Sequence, residues 1–148
     1  MTRDDLERVV RTYYDGCNKA DADKMAACFV PGAVHYFPAG APQGTFAGAR
    51  AIAEGWCRAV ETLGSQWTID GLSTDLERRE VTVEWTHWKT ARGSHLRGAE
   101  ICCFDEAGLM TEIRAYYAAP ADGHDAVHEL GDFDYAGRKY ALAAPVRR

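Results

Sequence analysis

The chain has no apolar run long enough to cross a bilayer, so no membrane span is expected. It has no basic patch. Its 17 Lys and Arg residues are scattered among 22 acidic ones, for a net charge of −5, which argues against a nucleic-acid surface. Its five cysteines, Cys17, Cys28, Cys57, Cys102 and Cys103, show neither zinc-like nor Cys-x-x-Cys spacing. An odd count, placed in expected helices and a strand, points to reduced, buried thiols in a cytoplasmic protein. The opening MTRDDLERVV is charged and amphipathic, so no signal peptide is expected. Histidines and carboxylates do not recur at metal-ligand spacing on any one element, so neither a metal nor another cofactor is expected. There is no internal repeat. What remains is a 148-residue chain, long enough for one domain with its own core.

The most informative stretch runs from Arg79 to Ala118: EVTVEWTHWKT, HLRGAEICCF and LMTEIRAYYA, separated by the polar turns ARGS and DEAG. Three strands joined by short turns predict an antiparallel meander. Period-two alternation puts Val81, Val83, Trp85 and His87 on one face of the first strand and Thr82, Glu84, Thr86 and Trp88 on the other. On the second strand it groups Leu96, Gly98, Glu100, Cys102 and Phe104, and on the third Ile113, Ala115 and Tyr117. Two mainly apolar faces thus each carry one titratable residue, His87 and Glu100. A carboxylate on an apolar face must be paired or protonated, or its burial is costly. Arg97 and Arg114 fall on the opposite faces, so they do not supply the pairing.

Upstream, Thr2 and Asp5 are spaced as a helix cap, and Leu6, Val9, Val10, Tyr13, Tyr14 and Cys17 recur at helical spacing up to about Asn18. Asp21 can cap a short second helix through Phe29, stopped by Pro31-Gly32. Ala33 to Phe37 reads as a strand with His35 and Phe37 on one face, followed by a Gly/Pro loop, PAGAPQGTFAG. Gly48 to Leu63 reads as a third helix ended by Gly64, and Gln66 to Leu72 as a strand. Helices first and strands after is an α+β order. The expected fold is a cone: three N-terminal helices packed on a strongly curved antiparallel sheet with a mixed edge. Residues 1–120 form the cone domain; 121–148 form a C-terminal extension, too aromatic for a disordered tail, packed on the domain or on a partner subunit.

The segments VVRTYYDGCNKADADKMAACFVPGAVHYFP and GAEICCFDEAGLMTEIRAYY resemble the opening pattern and the final hairpin of the nuclear transport factor 2-like superfamily, in its SnoaL-like and ketosteroid-isomerase-like branch. The resemblance covers roughly residues 3–118 and specifies fold better than reaction. It implies that Tyr13 matches the tyrosine that donates to the oxyanion in ketosteroid isomerases, and Glu100 the second donor, an acid kept protonated by its apolar site. The isomerase's general-base Asp falls at Phe37, so that base is missing; His35 or His87 could replace it. The acid-arginine-acid set of limonene epoxide hydrolases falls at His87, Trp85 and Ala115, which disfavours that chemistry. Scytalone-dehydratase-like members, with His, Tyr and Asp, are closer in residue type. Dimers are common in the family, and alternation puts Arg97, Ala99, Ile101, Cys103 and Trp88 on the outer face, so a homodimer through that face is expected.

The expectation is therefore a cofactor-independent isomerase, dehydratase or polyketide-type cyclase acting on an apolar, carbonyl-containing small molecule. Tyr13, His35, His87 and Glu100 are its candidate catalytic residues; Phe37, Trp56, Trp67, Trp85, Cys102, Ile113 and Tyr117 are its candidate pocket walls. The competing expectation is a non-catalytic ligand-binding or interaction domain of the same fold. Convergence of the Glu100 carboxyl and the imidazoles on one cavity would favour the enzyme.

Overall fold

The computed structural model describes residues 1–117, 130–140 and 142–143. Helices α1 (Arg3–Lys19) and α2 (Ala22–Ala26) precede strand β1 (Phe29–Tyr36); β2 (Phe46–Ala47) and α3 (Ala49–Leu63) precede β3 (Ser65–Asp75), β4 (Glu80–Lys89), β5 (Ser94–Phe104) and β6 (Met110–Tyr117). The six strands form one open sheet in the order β2-β1-β6-β5-β4-β3. Every pairing is antiparallel except β1 with β6, which is parallel and makes the sheet mixed toward that edge. The three helices pack on one face, α1 against β3 and α3 against β1, β2 and β3, with α2 between the two. Among the described residues no helix is long and apolar enough to cross a membrane.

Local chemistry sets the helix ends. The Thr2 side chain accepts from the Asp5 N–H at 3.2 Å while the Asp5 carboxylate accepts from the Thr2 N–H at 2.8 Å, a reciprocal capping box. α1 then turns Leu6, Val10, Tyr13, Tyr14 and Cys17 inward. α3 stops at Gly64, whose φ of 62° suits glycine best. The alternation of the meander holds: Val81, Val83, Trp85 and His87 are buried, as are Glu100, Cys102 and Phe104 facing the same core.

β3 runs on to Asp75, past the expected end at Leu72, and three further differences from the sequence reading lie near β1. α2 ends at Ala26 instead of Phe29, because Cys28 and Phe29 are taken into the sheet: the Met110 N–H donates to the Cys28 carbonyl at 2.9 Å and Phe29 pairs with Met110. Pro31 and Gly32 lie inside β1, in the register shift between Phe29 and Val34, where proline's missing donor costs least. The Gly/Pro loop contributes the two-residue β2. On the outer face Arg114 is buried by ion pairs to Glu80 and Glu112, so that face is more polar than its alternation suggested.

Residues 130–140 lie along β1. Leu130 bridges to Pro38, Phe133 packs edge-on against Tyr36 at 5.2 Å, and Arg138 grips the Glu112 carboxylate with both Nη atoms at 3.0 and 2.6 Å. Residues 118–129, 141 and 144–148, including most of the extension's start and its end, lie outside the described residues.

Candidate active site

Between the helices and the sheet's inner face lies a cavity of about 570 Å³. Tyr13, His35, His87 and Glu100 all line it, with Phe37, Trp56, Trp67, Trp85 and Tyr117. Cys102 and Ile113, expected among the walls, do not. Both are fully buried in the core cluster: they pair with each other across β5 and β6, two residues along from the Glu100–Ala115 pair, where the packed core covers the sheet's inner face.

Glu100 stands on β5 opposite Val83 of β4 and Ala115 of β6, in the middle of the sheet, and among the described residues no Lys or Arg pairs with it. Its Oε1 accepts a 2.9 Å hydrogen bond from the Tyr14 hydroxyl. Its Oε2 lies 3.8 Å from His35 Nε2, which has no hydrogen-bond partner among the described residues. Burial raises the Glu100 pKa to about 7, and the Tyr14 hydrogen bond only partly opposes it. Glu100 thus titrates where proton transfer at neutral pH needs it.

The two histidines differ from each other. His35, on β1, is 1% exposed and stacks on Phe37 at 4.2 Å between ring centroids. Its Nδ1 lies 3.3 Å from the Tyr36 carbonyl, a contact that puts the proton on Nδ1 and turns an unprotonated Nε2 toward Glu100. Desolvation lowers its pKa to about 3, so it is neutral and weakly basic. His87 stacks on Trp67 at 4.6 Å and shares a 2.7 Å hydrogen bond with the Ser65 hydroxyl. Desolvation and the nearby Lys89 charge lower its pKa to about 4. It pairs with Leu96, four positions from Glu100 along β5, hence about 13 Å away at the strand rise. His87 and Glu100 therefore share a cavity without sharing a proton.

The tyrosines divide their work in a way their adjacency conceals. Tyr14, not Tyr13, holds Glu100. The Tyr13 hydroxyl accepts the Trp56 indole N–H at 2.6 Å and keeps its own proton to donate. Burial, the largest cause, raises the pKa of both phenols well above their usual value, so both remain protonated. Trp85 Nε1 is a second buried donor without a partner among the described residues.

Sequence reasoning passed over Tyr14, Phe46 and the rim residues Pro42, Gln43, Arg58, Lys89 and Arg92. Only for Tyr14 was there a signal, its inward position on α1. Among the described residues no group of three His, Cys, Asp or Glu side chains could hold a metal ion. The arrangement is an aromatic-walled chamber with one carboxyl of near-neutral pKa, one imidazole nitrogen without a partner among the described residues, and one phenolic donor. That set can take a proton from a carbon acid and stabilise the resulting oxyanion.

Comparison with known proteins agrees with this architecture. The SnoaL-like domain family matches residues 10–113. A crystal structure of a protein of unknown function with a cystatin-like fold, from Methylobium petroleophilum PM1, is 58% identical with a TM-score of 0.93, over 100% of this chain and 98% of that one. An NTF2-like protein of unknown function from Mesorhizobium loti superposes with a TM-score of 0.64 at 18% identity, over 78% of this chain and 93% of that one. The epoxide hydrolase/cyclase-like enzyme SalBIII, of pyran ring formation in salinomycin, does so at 0.64 and 17%, over 76% and 90%. The last two likenesses are of fold alone. No curated protein matches significantly.

Proposed function

The chain belongs to the SnoaL-like domain family, within the NTF2-like superfamily, and from that premise we propose that it is a cofactor-independent enzyme of acid–base chemistry on an apolar carbonyl compound. The observation that carries the proposal is Glu100: a carboxyl deep in an aromatic cavity, pKa about 7, held by Tyr14 and facing the unpartnered nitrogen of His35. A purely binding pocket has no use for a desolvated acid, whose burial costs stability.

In this reading Glu100, rather than either histidine, is the base. Imidazoles lowered to about 3 and about 4 are too weak to compete with a carboxylate at about 7. Glu100 removes the proton next to the substrate carbonyl while the Tyr13 hydroxyl donates to the oxygen on which charge develops. Tyr14 fixes the carboxylate, and His35 accepts from the Glu100 carboxyl once it holds the proton. Returning the proton to a different carbon is an isomerisation; expelling a β-hydroxyl is a dehydration; attack of the enolate on a second carbonyl is an aldol cyclisation.

The test needs no native substrate. In 5-nitrobenzisoxazole a base takes the C–H proton, the electron pair forms the nitrile, and the N–O bond breaks to give a coloured phenolate. The wild-type rate is expected to rise through about pH 7 as Glu100 ionises. Glu100→Gln should lower it by roughly a hundredfold or more, the usual worth of a positioned base. Equal rates in the two proteins would leave the cavity a binding site without catalysis.

A further inference from the structure

The chain carries a net charge of −5, yet the wall of its cavity has the opposite sign. Arg58, Lys89 and Arg92 line it, and the one acid among the lining residues is Glu100 at the bottom. The three cations come from separate elements that meet in one corner. Arg58 is on α3, Lys89 closes β4 opposite Ser65, and Arg92 ends a short 3-10 turn, Thr90–Arg92. That turn is tied to the end of α3 by the Thr90 hydroxyl, which donates to the Gly64 carbonyl at 2.6 Å. Some cations on this surface meet carboxylates, as Arg8 with Asp5, Arg50 with Asp23 and Arg138 with Glu112, while among the described residues Arg3, Arg11, Arg79, Arg97 and Lys139 do not; what sets Arg58, Lys89 and Arg92 apart is that they line one cavity. Among the described residues, Arg58, Lys89 and Arg92 have no carboxylate within salt-bridge distance.

Arg58 and Arg92 are exposed and Lys89 is half-buried, so they stand at the mouth while the aromatic rings and Glu100 occupy the depth. The dipole at the end of α3 accounts for Lys89 or Arg92 but not for Arg58, which lies outside that helix's last turn. Three like charges on the lining of one opening, with Glu100 the one acid among the lining residues, favour anions there.

We propose that the ligand is an anionic amphiphile: an apolar, ring-sized body that enters the cavity, bearing a small anionic group that stays at the mouth among Arg58, Lys89 and Arg92. This rests on the reading of the cavity as a small-molecule site and adds the substrate's second end. It also orients the substrate, since the charged end can only face out and the apolar end only toward Glu100.

The test uses two fluorescent probes that differ by one sulfonate, 8-anilinonaphthalene-1-sulfonate and uncharged N-phenyl-1-naphthylamine, titrated into the full chain. The sulfonate is expected to bind roughly tenfold more tightly, with the advantage shrinking as salt is added. In a triple variant, Arg58→Gln, Lys89→Gln and Arg92→Gln, that advantage should disappear while the uncharged probe binds as before, which also reports that the variant is folded. Ala59→Trp, which fills the cavity from α3, should weaken both probes. Equal affinities for the two probes, or a sulfonate affinity unchanged in the triple variant, would overturn the anionic end and leave the apolar cavity standing. Binding of neither probe, or of both regardless of Ala59→Trp, would overturn the inference and the small-molecule reading together.

Discussion

An acid whose pKa rises on folding destabilises the fold at every pH where the unfolded chain has lost its proton. Glu100 moves from 4.5 to about 7. Below pH 4.5 both states are protonated and its burial carries no ionisation cost. Between about 4.5 and 7 the unfolded chain ionises first, so the contribution of Glu100 to stability falls as pH rises; above 7 the loss is complete. The full difference is on the order of 3 kcal/mol, at 1.36 kcal/mol per pKa unit. His35 and His87 work in the other direction, losing stability as pH falls below 6.5, and together outweigh Glu100 in the wild type. The prediction is therefore a difference. Relative to wild type, Glu100→Gln should gain on the order of 3 kcal/mol between pH 4 and pH 8, read by urea unfolding at each pH. A constant difference would mean that the carboxyl is not desolvated as its surroundings imply.

At the scale of elements, Gly98 shows how a missing side chain builds a wall. It lies on β5 between Trp85 of β4 and Tyr117 of β6. A Cβ there would stand 2.7 Å from the Trp85 ring and 2.7 Å from the Tyr116 carbonyl oxygen. The ring could yield, but the backbone oxygen belongs to the β5–β6 ladder and cannot. Gly98→Ala is expected to cost about 1–3 kcal/mol in urea unfolding, as overpacking does, and to weaken the uncharged naphthylamine by displacing Trp85; an unchanged protein would mean that β5 and β6 separate easily. The inward positions of β4 and β5 were legible in the sequence because a strand's period of two is a local rule. The joint between α2 and β1 was not, because Phe29 becomes strand through pairing with Met110, far along the chain. Tyr13 and Tyr14 both read as inward; which hydroxyl reaches Glu100 depends on how α1 sits over β5. The rim cations come from separate elements, and no local pattern predicts their meeting.

At the scale of the whole molecule, residues 130–140 connect the fold's outer edge to the cavity's mouth. Phe133 is buried under Tyr36, Tyr135 and Tyr140, with the Arg138 guanidinium 4.2 Å above its ring. Next to it, Gly131 donates to the Phe37 carbonyl at 2.9 Å, and the Thr45 hydroxyl donates to the Asp132 carboxylate at 3.1 Å. These contacts bracket the loop that brings Pro42 and Gln43 to the cavity. Anchor and bracket are separable. Phe133→Ala removes the anchor and should cost about 3 kcal/mol, seen as a lower melting temperature. Thr45→Val with Asp132→Asn, which suits the left-handed backbone at position 132 (φ 60°), leaves Phe133 in place and removes the Thr45 hydroxyl's hydrogen bonds to the Asp132 carboxylate and, at 3.4 Å, to the Gly131 carbonyl. It should change the melting temperature little, while the uncharged naphthylamine dissociates severalfold faster in stopped-flow because the loop opens more often. If Phe133→Ala melts as the wild type does and the double variant releases the probe at the wild-type rate, the segment contributes neither to the fold nor to the mouth of the cavity.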